Sequence, residues 1–101
     1  MESTHSGRDG SLADRTAVVT GGSSGIGLSI ARAFVARGAD VVIGARDENR
    51  GAAAAEAIGA EFVRADVSDV DEGRRLIGQV VDRFGRVDIL VNTAGIFDVG
   101  P

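Results

Sequence analysis

The segment AVVTGGSSGIGLSIARAFV, residues 17–35, decides the fold of this 101-residue chain. A short run of β-branched residues leads into a glycine-rich turn, and the turn leads into a stretch with helical spacing of apolar residues. Two adjacent rows in that stretch recur at intervals of four: Ile26, Ile30 and Phe34, and Gly27, Ala31 and Val35. The segment therefore predicts a β-strand that passes through a glycine turn directly into an α-helix.

The same alternation of a short apolar run and a helix-length segment continues along the chain. Further apolar runs lie at residues 41–43, 62–63 and 89–91. Such runs, without polar alternation, are typical of strands buried on both faces of a parallel sheet. The alanine run within 47–58 predicts a second helix. An apolar stripe predicts a third helix, and its members are Val70, Ile77, Val80, Val81 and Phe84.

Helix ends are marked by glycines and by small polar residues. Gly38, Gly59 and Gly85 each precede the next strand, where a left-handed residue would close the helix. Ser68 or Asp69 is expected to cap the third helix, and the acids that follow suit its N-terminus better than a metal site. The order β-α-β-α-β-α-β then predicts an α/β fold, a Rossmann-type parallel sheet with helices on both faces.

The composition excludes several classes of function. The chain has no Cys, Lys or Tyr, and its formal net charge is -4. Without Cys there are no disulfides, thiolate metal sites or cysteine nucleophiles. The negative charge argues against nucleic acid and anionic membranes as partners. The N-terminus lacks the apolar core of a secretory signal, and the apolar runs are too short to span a membrane, so we expect a cytoplasmic protein.

The glycine turn predicts a phosphate site. The first turn of a helix offers unpaired N–H groups and the positive end of its dipole to an anion. Gly21 permits a sharp turn out of the strand, Gly25 permits close approach of a pyrophosphate, and Gly27 permits tight packing of the helix on the sheet. The spacing is T-G-x-x-x-G-x-G, which is neither G-x-G-x-x-G nor the lysine-containing Walker loop.

This spacing resembles that of the short-chain dehydrogenase/reductase family, which binds NAD(H) or NADP(H) on a Rossmann sheet. The resemblance covers about residues 14–101 but only the first half of a family member. The N-terminal residues are rich in Ser, Gly and charge, so we expect a flexible tail at 1–13, and the resemblance implies an NAD(P)-binding domain at 14–101 that is incomplete at its C-terminus. It also implies that the glycine turn binds the cofactor through Gly21, Ser23, Ser24, Gly25, Ile26 and Gly27.

Two further elements carry the resemblance. Asp66 and Val67 follow the third strand, where the family places an Asp that binds the adenine amino group and a residue whose backbone meets the ring. A carboxylate, being an acceptor, suits that amino group. The run Asn92-Thr93-Ala94-Gly95 resembles the family's N-N-A-G element, with Thr93 as a departure from it. The resemblance implies that Asn92, Ala94 and Gly95 line the cofactor cleft.

Cofactor choice is expected at the end of the second strand. An acid there would bind the ribose 2'-hydroxyl of NAD and repel a 2'-phosphate. This chain has Ala45 followed by Arg46, whose guanidinium suits a phosphate. NADP(H) is therefore favoured over NAD(H). The missing strand-end acid also argues against a Rossmann-like methyltransferase, which would need one for a ribose.

The family's catalytic Tyr-x-x-x-Lys pair is missing, because the chain contains neither residue type. No catalytic residue and no metal ligand is assigned. One interpretation is the cofactor-binding N-terminal portion of a short-chain alcohol/carbonyl oxidoreductase, whose small-molecule substrate and homo-oligomer contacts would belong to a full-length form. The alternative is a complete, non-catalytic dinucleotide-binding or interaction module. Under either interpretation we predict that this chain alone does not catalyse hydride transfer.

Overall fold

A computed structural model of the chain describes residues 10–93. The predicted alternation of strands and helices is confirmed over this range. Its elements are β1 (Thr16–Thr20), α1 (Gly25–Ala36), β2 (Asp40–Ala45), α2 (Glu48–Ile58), β3 (Glu61–Arg64), α3 (Val70–Phe84) and β4 (Ile89–Asn92). No helix among the described residues is both long and apolar enough to cross a membrane.

The four strands form one parallel sheet in the order β3-β2-β1-β4. In the central register, Val19 of β1 lies opposite Ile43 of β2 on one side and Val91 of β4 on the other. The chain builds outward from β1 in one direction as far as β3 and then crosses to the opposite side for β4. This reversal leaves a crevice at the carboxyl ends of β1 and β4, which is where ligands bind to open α/β sheets.

Helices cover both faces of the sheet, as predicted. Successive strand residues point to opposite faces. Val19 packs with Ala31 of α1 and Ala55 of α2 on one face. Its neighbour Val18 packs with α3 on the other face. Both valines are fully buried, so the apolar run of β1 serves two cores at once.

Three details of the predicted core are wrong. Leu90 in β4 is 57% exposed, because α3 covers only part of its face of the sheet. In α3 the stripe is displaced: Leu76 and Val80 are buried, whereas Val70 and Val81 are exposed. Ile26, which begins the predicted row of α1, is 75% exposed because it lies in the first turn, ahead of the residues that pack.

The helix ends follow the predicted chemistry. Asp69 caps α3, since its carboxylate accepts hydrogen bonds from the backbone N–H groups of Asp71 and Glu72. Gly59 and Gly85 close α2 and α3 in the left-handed conformation, with φ of 82° and 87°. These residues fix where each helix begins and ends, and therefore where the next strand enters the sheet.

A turn precedes β1 within the described residues. Residues 1–9 of the predicted tail are outside the described residues, but residues 10–13 form an ordered turn. The backbone N–H of Leu12 donates to the carbonyl of Arg37 at 2.8 Å, and the Leu12 side chain packs against the first core. This contact fastens the N-terminal turn to the C-terminal end of α1.

Asp88 joins β4 to the start of β1. Its Oδ2 accepts from the backbone N–H of Thr16 at 2.8 Å, and its Oδ1 accepts from Nε and Nη2 of Arg86 at 2.9 and 2.7 Å. The bonds from Arg86, and then that from Thr16, hold the pKa of Asp88 below its ordinary value. The carboxylate is thus ionised at neutral pH and links the two strands in register.

Gly51 is needed for the contact between α2 and the sheet. It is buried, and a Cβ built on it would fall on the ring of Phe62 in β3, with Cδ1 and Cζ only 2.6 Å away. The sequence suggested only that this glycine weakens the helix, by about 1 kcal/mol relative to alanine. The tertiary structure shows that it lets α2 approach β3 closely.

We expect Gly51→Ala to destabilise the chain by about 1–2 kcal/mol, because overpacking outweighs the gain in helix propensity. Urea unfolding followed by circular dichroism measures the change. Gly78→Ala is the matched control, since no atom of the described residues lies within 4 Å of a Cβ at that helical position. Phe62→Leu should recover part of the loss in the double variant. Equal effects of the two alanine substitutions would contradict this account.

Candidate functional site

The carboxyl ends of the strands border a cleft of about 1050 Å³. The cleft lies over the crevice at which the strand order reverses, and elements distant in sequence meet there. Of the residues predicted to bind the cofactor, it brings together Gly21, Ser23, Ser24, Arg46, Asp66, Val67 and Asn92. Ala94 and Gly95 lie outside the described residues.

The N-terminus of α1 faces this cleft without a side-chain cap. Ser24 is the N-cap residue in an extended conformation, but its side chain makes no capping hydrogen bond. The first helical bond runs from the N–H of Leu28 to the carbonyl of Ser24 at 3.3 Å. The N–H groups of Gly25, Ile26 and Gly27 therefore precede the helical ladder, and the first turn carries no acid. This end of α1 can donate to an anion.

Two glycines of the turn have the left-handed conformation, with φ of 77° at Gly21 and 60° at Gly25. Gly27 is required for a different reason. A Cβ there would fall on the carbonyl oxygen of Gly21 and lie 2.8 Å from Oγ1 of Thr93. Its lack of a side chain therefore lets α1 begin directly against the ends of β1 and β4.

The ends of β1 and β4 are joined by threonine hydroxyls. Oγ1 of Thr20 donates to Oδ1 of Asn92 at 2.9 Å. Oγ1 of Thr93 donates to the carbonyl of Thr20 at 2.8 Å, beside the backbone bond from the N–H of Thr93 at 3.1 Å. Thr93 departs from the family pattern, and its hydroxyl is used to fasten the two strands together.

Asp66 presents an ionised carboxylate to the cleft. Its Oδ1 accepts from the hydroxyl and the backbone N–H of Ser68, at 2.6 and 3.0 Å. These two bonds hold the pKa of Asp66 below its ordinary value, with smaller contributions from the positive charges of Arg46 and Arg64. At neutral pH the group is therefore a hydrogen-bond acceptor at the edge of the cleft.

Two arginines, rather than one, line the cleft near the end of β2. Arg46 follows the strand, and Arg50 lies in the first turn of α2. Asp47 stands between them, but its Oδ1 caps α2 by accepting from the backbone N–H of Arg50 at 3.0 Å. Sequence reasoning missed Arg50. The available signal was the place of Arg50 in the first turn of the helix that begins directly after Arg46.

Carboxylates in the described part of the chain do not assemble into a metal site. No three side chains among His, Cys, Asp and Glu come together within residues 10–93. Instead, Asp69 caps α3, while Glu72 accepts hydrogen bonds from Asp66 and Arg64. The acids near the start of α3 thus serve the helix and the turn before it.

The fold and the cleft place the chain in the Rossmann class of α/β proteins, with a glycine turn and an uncapped helix where the strand order reverses. A sequence model described as short chain dehydrogenase matches residues 15–101. The chain therefore belongs to the short-chain dehydrogenase family, whose members are oxidoreductases that use nicotinamide dinucleotides.

Relatives and solved structures agree with this assignment. L-fucose dehydrogenase of Oryctolagus cuniculus is 49% identical over 82% of this chain and 30% of the relative. Galactitol 2-dehydrogenase of Agrobacterium fabrum is 44% identical over 89% of this chain and 36% of the relative. The structure of the Pseudomonas aeruginosa RhlG/NADP active-site complex matches with a TM-score of 0.79 and 42% identity, over 86% of this chain and 37% of that one. The chain thus spans about a third of each.

Proposed function

We propose that this chain is the cofactor-binding portion of an NADP(H)-preferring short-chain alcohol/carbonyl oxidoreductase. One observation carries the proposal: the uncapped, acid-free N-terminus of α1 opens onto the same cleft as two arginines and an ionised aspartate. The helix N-terminus suits a pyrophosphate, the two arginines suit a 2'-phosphate, and the aspartate suits an adenine amino group. Three subsites for one dinucleotide thus border a single cleft.

The residues present fit this cofactor. The glycine turn, Gly21 to Gly27, would hold the pyrophosphate through the N–H groups that precede the α1 ladder. Asp66 and Val67 would meet the adenine, and Asn92 would line the strand end together with the predicted Ala94 and Gly95. Within residues 10–93 no atom lies within 4 Å of the position of a Cβ on Gly25, so these residues leave the approach to the turn open.

Arg46 and Arg50 support the preference for NADP(H). A guanidinium binds a phosphate by paired hydrogen bonds, and two guanidinium groups meet the charge of a 2'-phosphate better than one. No acid stands at the tip of β2, and the Asp47 carboxylate caps α2. The RhlG structure named above is an NADP complex, which agrees with this choice.

When bound, the dinucleotide would supply or accept the hydride exchanged with a carbonyl or alcohol substrate. The family's proton donor is a Tyr beside a Lys, and this chain has neither. We therefore propose that the chain holds and orients the cofactor without catalysing hydride transfer. Substrate binding and homo-oligomer contacts would belong to a longer, cytoplasmic form.

We propose that the domain over residues 14–101 is incomplete, because within residues 10–93 one face of β4 is left partly exposed. An apolar groove of about 410 Å³ runs between α3 and β4, bordered by Val70, Ile77 and Leu90. A right-handed crossover that continues the sheet beyond β4 would place its helix on this same face, next to α3. The groove is where the next helix of a complete Rossmann sheet would pack.

Titration calorimetry with NADP+ and NAD+ tests the proposal on the chain as it stands. We expect the chain to bind both dinucleotides. The affinity for NADP+ should be higher by roughly tenfold, because one additional hydrogen bond to a charged group contributes about that much. NADPH mixed with a generic ketone should show no change in nicotinamide absorbance in the presence of the chain. Failure to bind either dinucleotide, tighter binding of NAD+, or measurable turnover would refute the corresponding part of the proposal.

A further inference from the structure

We propose that Glu72 is a positioning residue that holds the Asp66 turn in the conformation needed to read an adenine base. The inference rests on the proposed function, in which Asp66 meets the adenine amino group. It adds a residue outside the cleft lining, on α3, that determines base specificity through another residue.

Glu72 makes an unusual bond for its helical position. It is the third residue of α3, counted after the N-cap Asp69. A glutamate at this position ordinarily reaches back to the backbone N–H of the N-cap residue. Here Oε1 of Glu72 instead accepts from the N–H of Asp66 at 2.7 Å, six residues earlier in the chain. The glutamate therefore ties α3 to the turn that precedes the helix.

This bond completes the fixation of Asp66. Its carbonyl accepts from the N–H of Asp69 at 3.0 Å, so both backbone polar groups of Asp66 are held by the start of α3. Its Oδ1 accepts both bonds from Ser68. Among the hydrogen bonds within residues 10–93, these leave Oδ2 as the oxygen for a donor on a ligand. The direction of the carboxylate thus depends on a turn anchored by Glu72.

Arg64 steadies the glutamate but is not its main partner. Its Nη1 lies 3.3 Å from the same Oε1 of Glu72, and its side chain is 50% exposed, whereas that of Glu72 is 25% exposed. An ion pair with one exposed member contributes little by itself. A short bond from an N–H group to a partly buried carboxylate is stronger. The effect of Glu72 therefore comes through the N–H of Asp66.

The test compares two probes, NADP+ and its purine analogue, in which a hydrogen atom replaces the adenine amino group and N1 remains an acceptor. For NADP+, Glu72→Ala should lower the affinity about fivefold, as expected for a misdirected hydrogen bond. Its affinity for the analogue should change less than about twofold, because the analogue has no amino group for Asp66 to bind. In an Asp66→Ala background, Glu72→Ala should cause no further loss.

Two conservative variants keep the test decisive if Glu72→Ala does not fold. Glu72→Gln retains an oxygen at the right distance and should keep NADP+ affinity within about twofold. Glu72→Asp keeps the charge but is one methylene too short, so it should lose affinity like alanine. Glu56→Ala, on the exposed surface of α2 and outside the cleft lining, is the matched control and should change neither probe's affinity.

Equal losses for both probes would overturn the inference, because they would show a merely structural role. The inference would also be overturned if Glu72→Asp kept the full NADP+ affinity and Glu72→Gln lost it. The charge of the side chain, rather than its length, would then determine the affinity. If Asp66→Ala discriminates between the probes but the Glu72 variants do not, this inference alone fails. If the wild-type chain binds neither probe, the inference and the proposed function fail together.

Discussion

Replacement of Gly27 by alanine is expected to destabilise the folded chain by at least about 3 kcal/mol, the upper range for an overpacked site. The added Cβ would meet the carbonyl oxygen of Gly21 and Oγ1 of Thr93. The carbonyl oxygen of Gly21 belongs to the backbone directly after β1, so it cannot rotate away as a side chain would. Relief requires α1 to move away from the ends of β1 and β4.

Dinucleotide binding should fall even where the Gly27 variant still folds. The N–H groups of Gly25, Ile26 and Gly27 are directed by the start of α1, and a shift of that helix would move all of them together. Urea unfolding and calorimetry with NADP+ measure the two effects separately. Gly78→Ala, an exposed glycine of α3 with open space around it, should be neutral or stabilising. Wild-type stability and affinity in the Gly27 variant would contradict the packing argument.

Replacement of Arg46 by aspartate is expected to lower the affinity for NADP+ about a hundredfold. The substitution removes a guanidinium that would bind the 2'-phosphate and introduces a carboxylate that repels it. The affinity for NAD+ should stay the same or rise, because an acid at the end of β2 accepts from a ribose 2'-hydroxyl. Calorimetry with both dinucleotides gives the ratio of affinities, which is insensitive to a general loss of folded protein.

Arg75→Asp is the matched control for the Arg46 substitution. It makes the same change of charge on the exposed surface of α3, at a residue that does not line the cleft. Its ratio of NADP+ to NAD+ affinity should remain near that of the wild type. The 2'-phosphate assignment would be wrong if Arg46→Asp weakened both dinucleotides equally. In that outcome Arg50, the other arginine of the cleft, becomes the candidate for the 2'-phosphate.

Much of the fold could be predicted because its signals are local. The apolar run of β1 marks a strand buried on both faces, and the structure buries all five of its residues. Gly59 and Gly85 mark helix ends because left-handed backbone favours glycine. The β4 run gave the same signal as β1, yet Leu90 is exposed, since burial depends on which helix covers a strand.

The candidate site was predicted in part for the same reason. The glycine turn and Arg46 stand next to strand ends, and chain order alone brings strand ends to one edge of a parallel sheet. Arg50 and Glu72 were not found, because each lies within a helix rather than at a strand end: Arg50 lines the cleft from α2, and Glu72 bonds from α3 to Asp66. Their relevance follows from distances across the fold, such as the 2.7 Å between Oε1 of Glu72 and the N–H of Asp66.

The sequence by itself determined the order of elements, the glycine turn, the missing Tyr and Lys, and the sign of the charge at the end of β2. These are properties of residue type and spacing, which no folding step can change. Only the tertiary structure decided that Gly51 serves the packing of α2 on Phe62, that Leu76 rather than Val81 faces the sheet, and that Glu72 anchors the Asp66 turn. Each of these depends on which neighbour occupies the space beside a residue, and that neighbour comes from elsewhere in the chain.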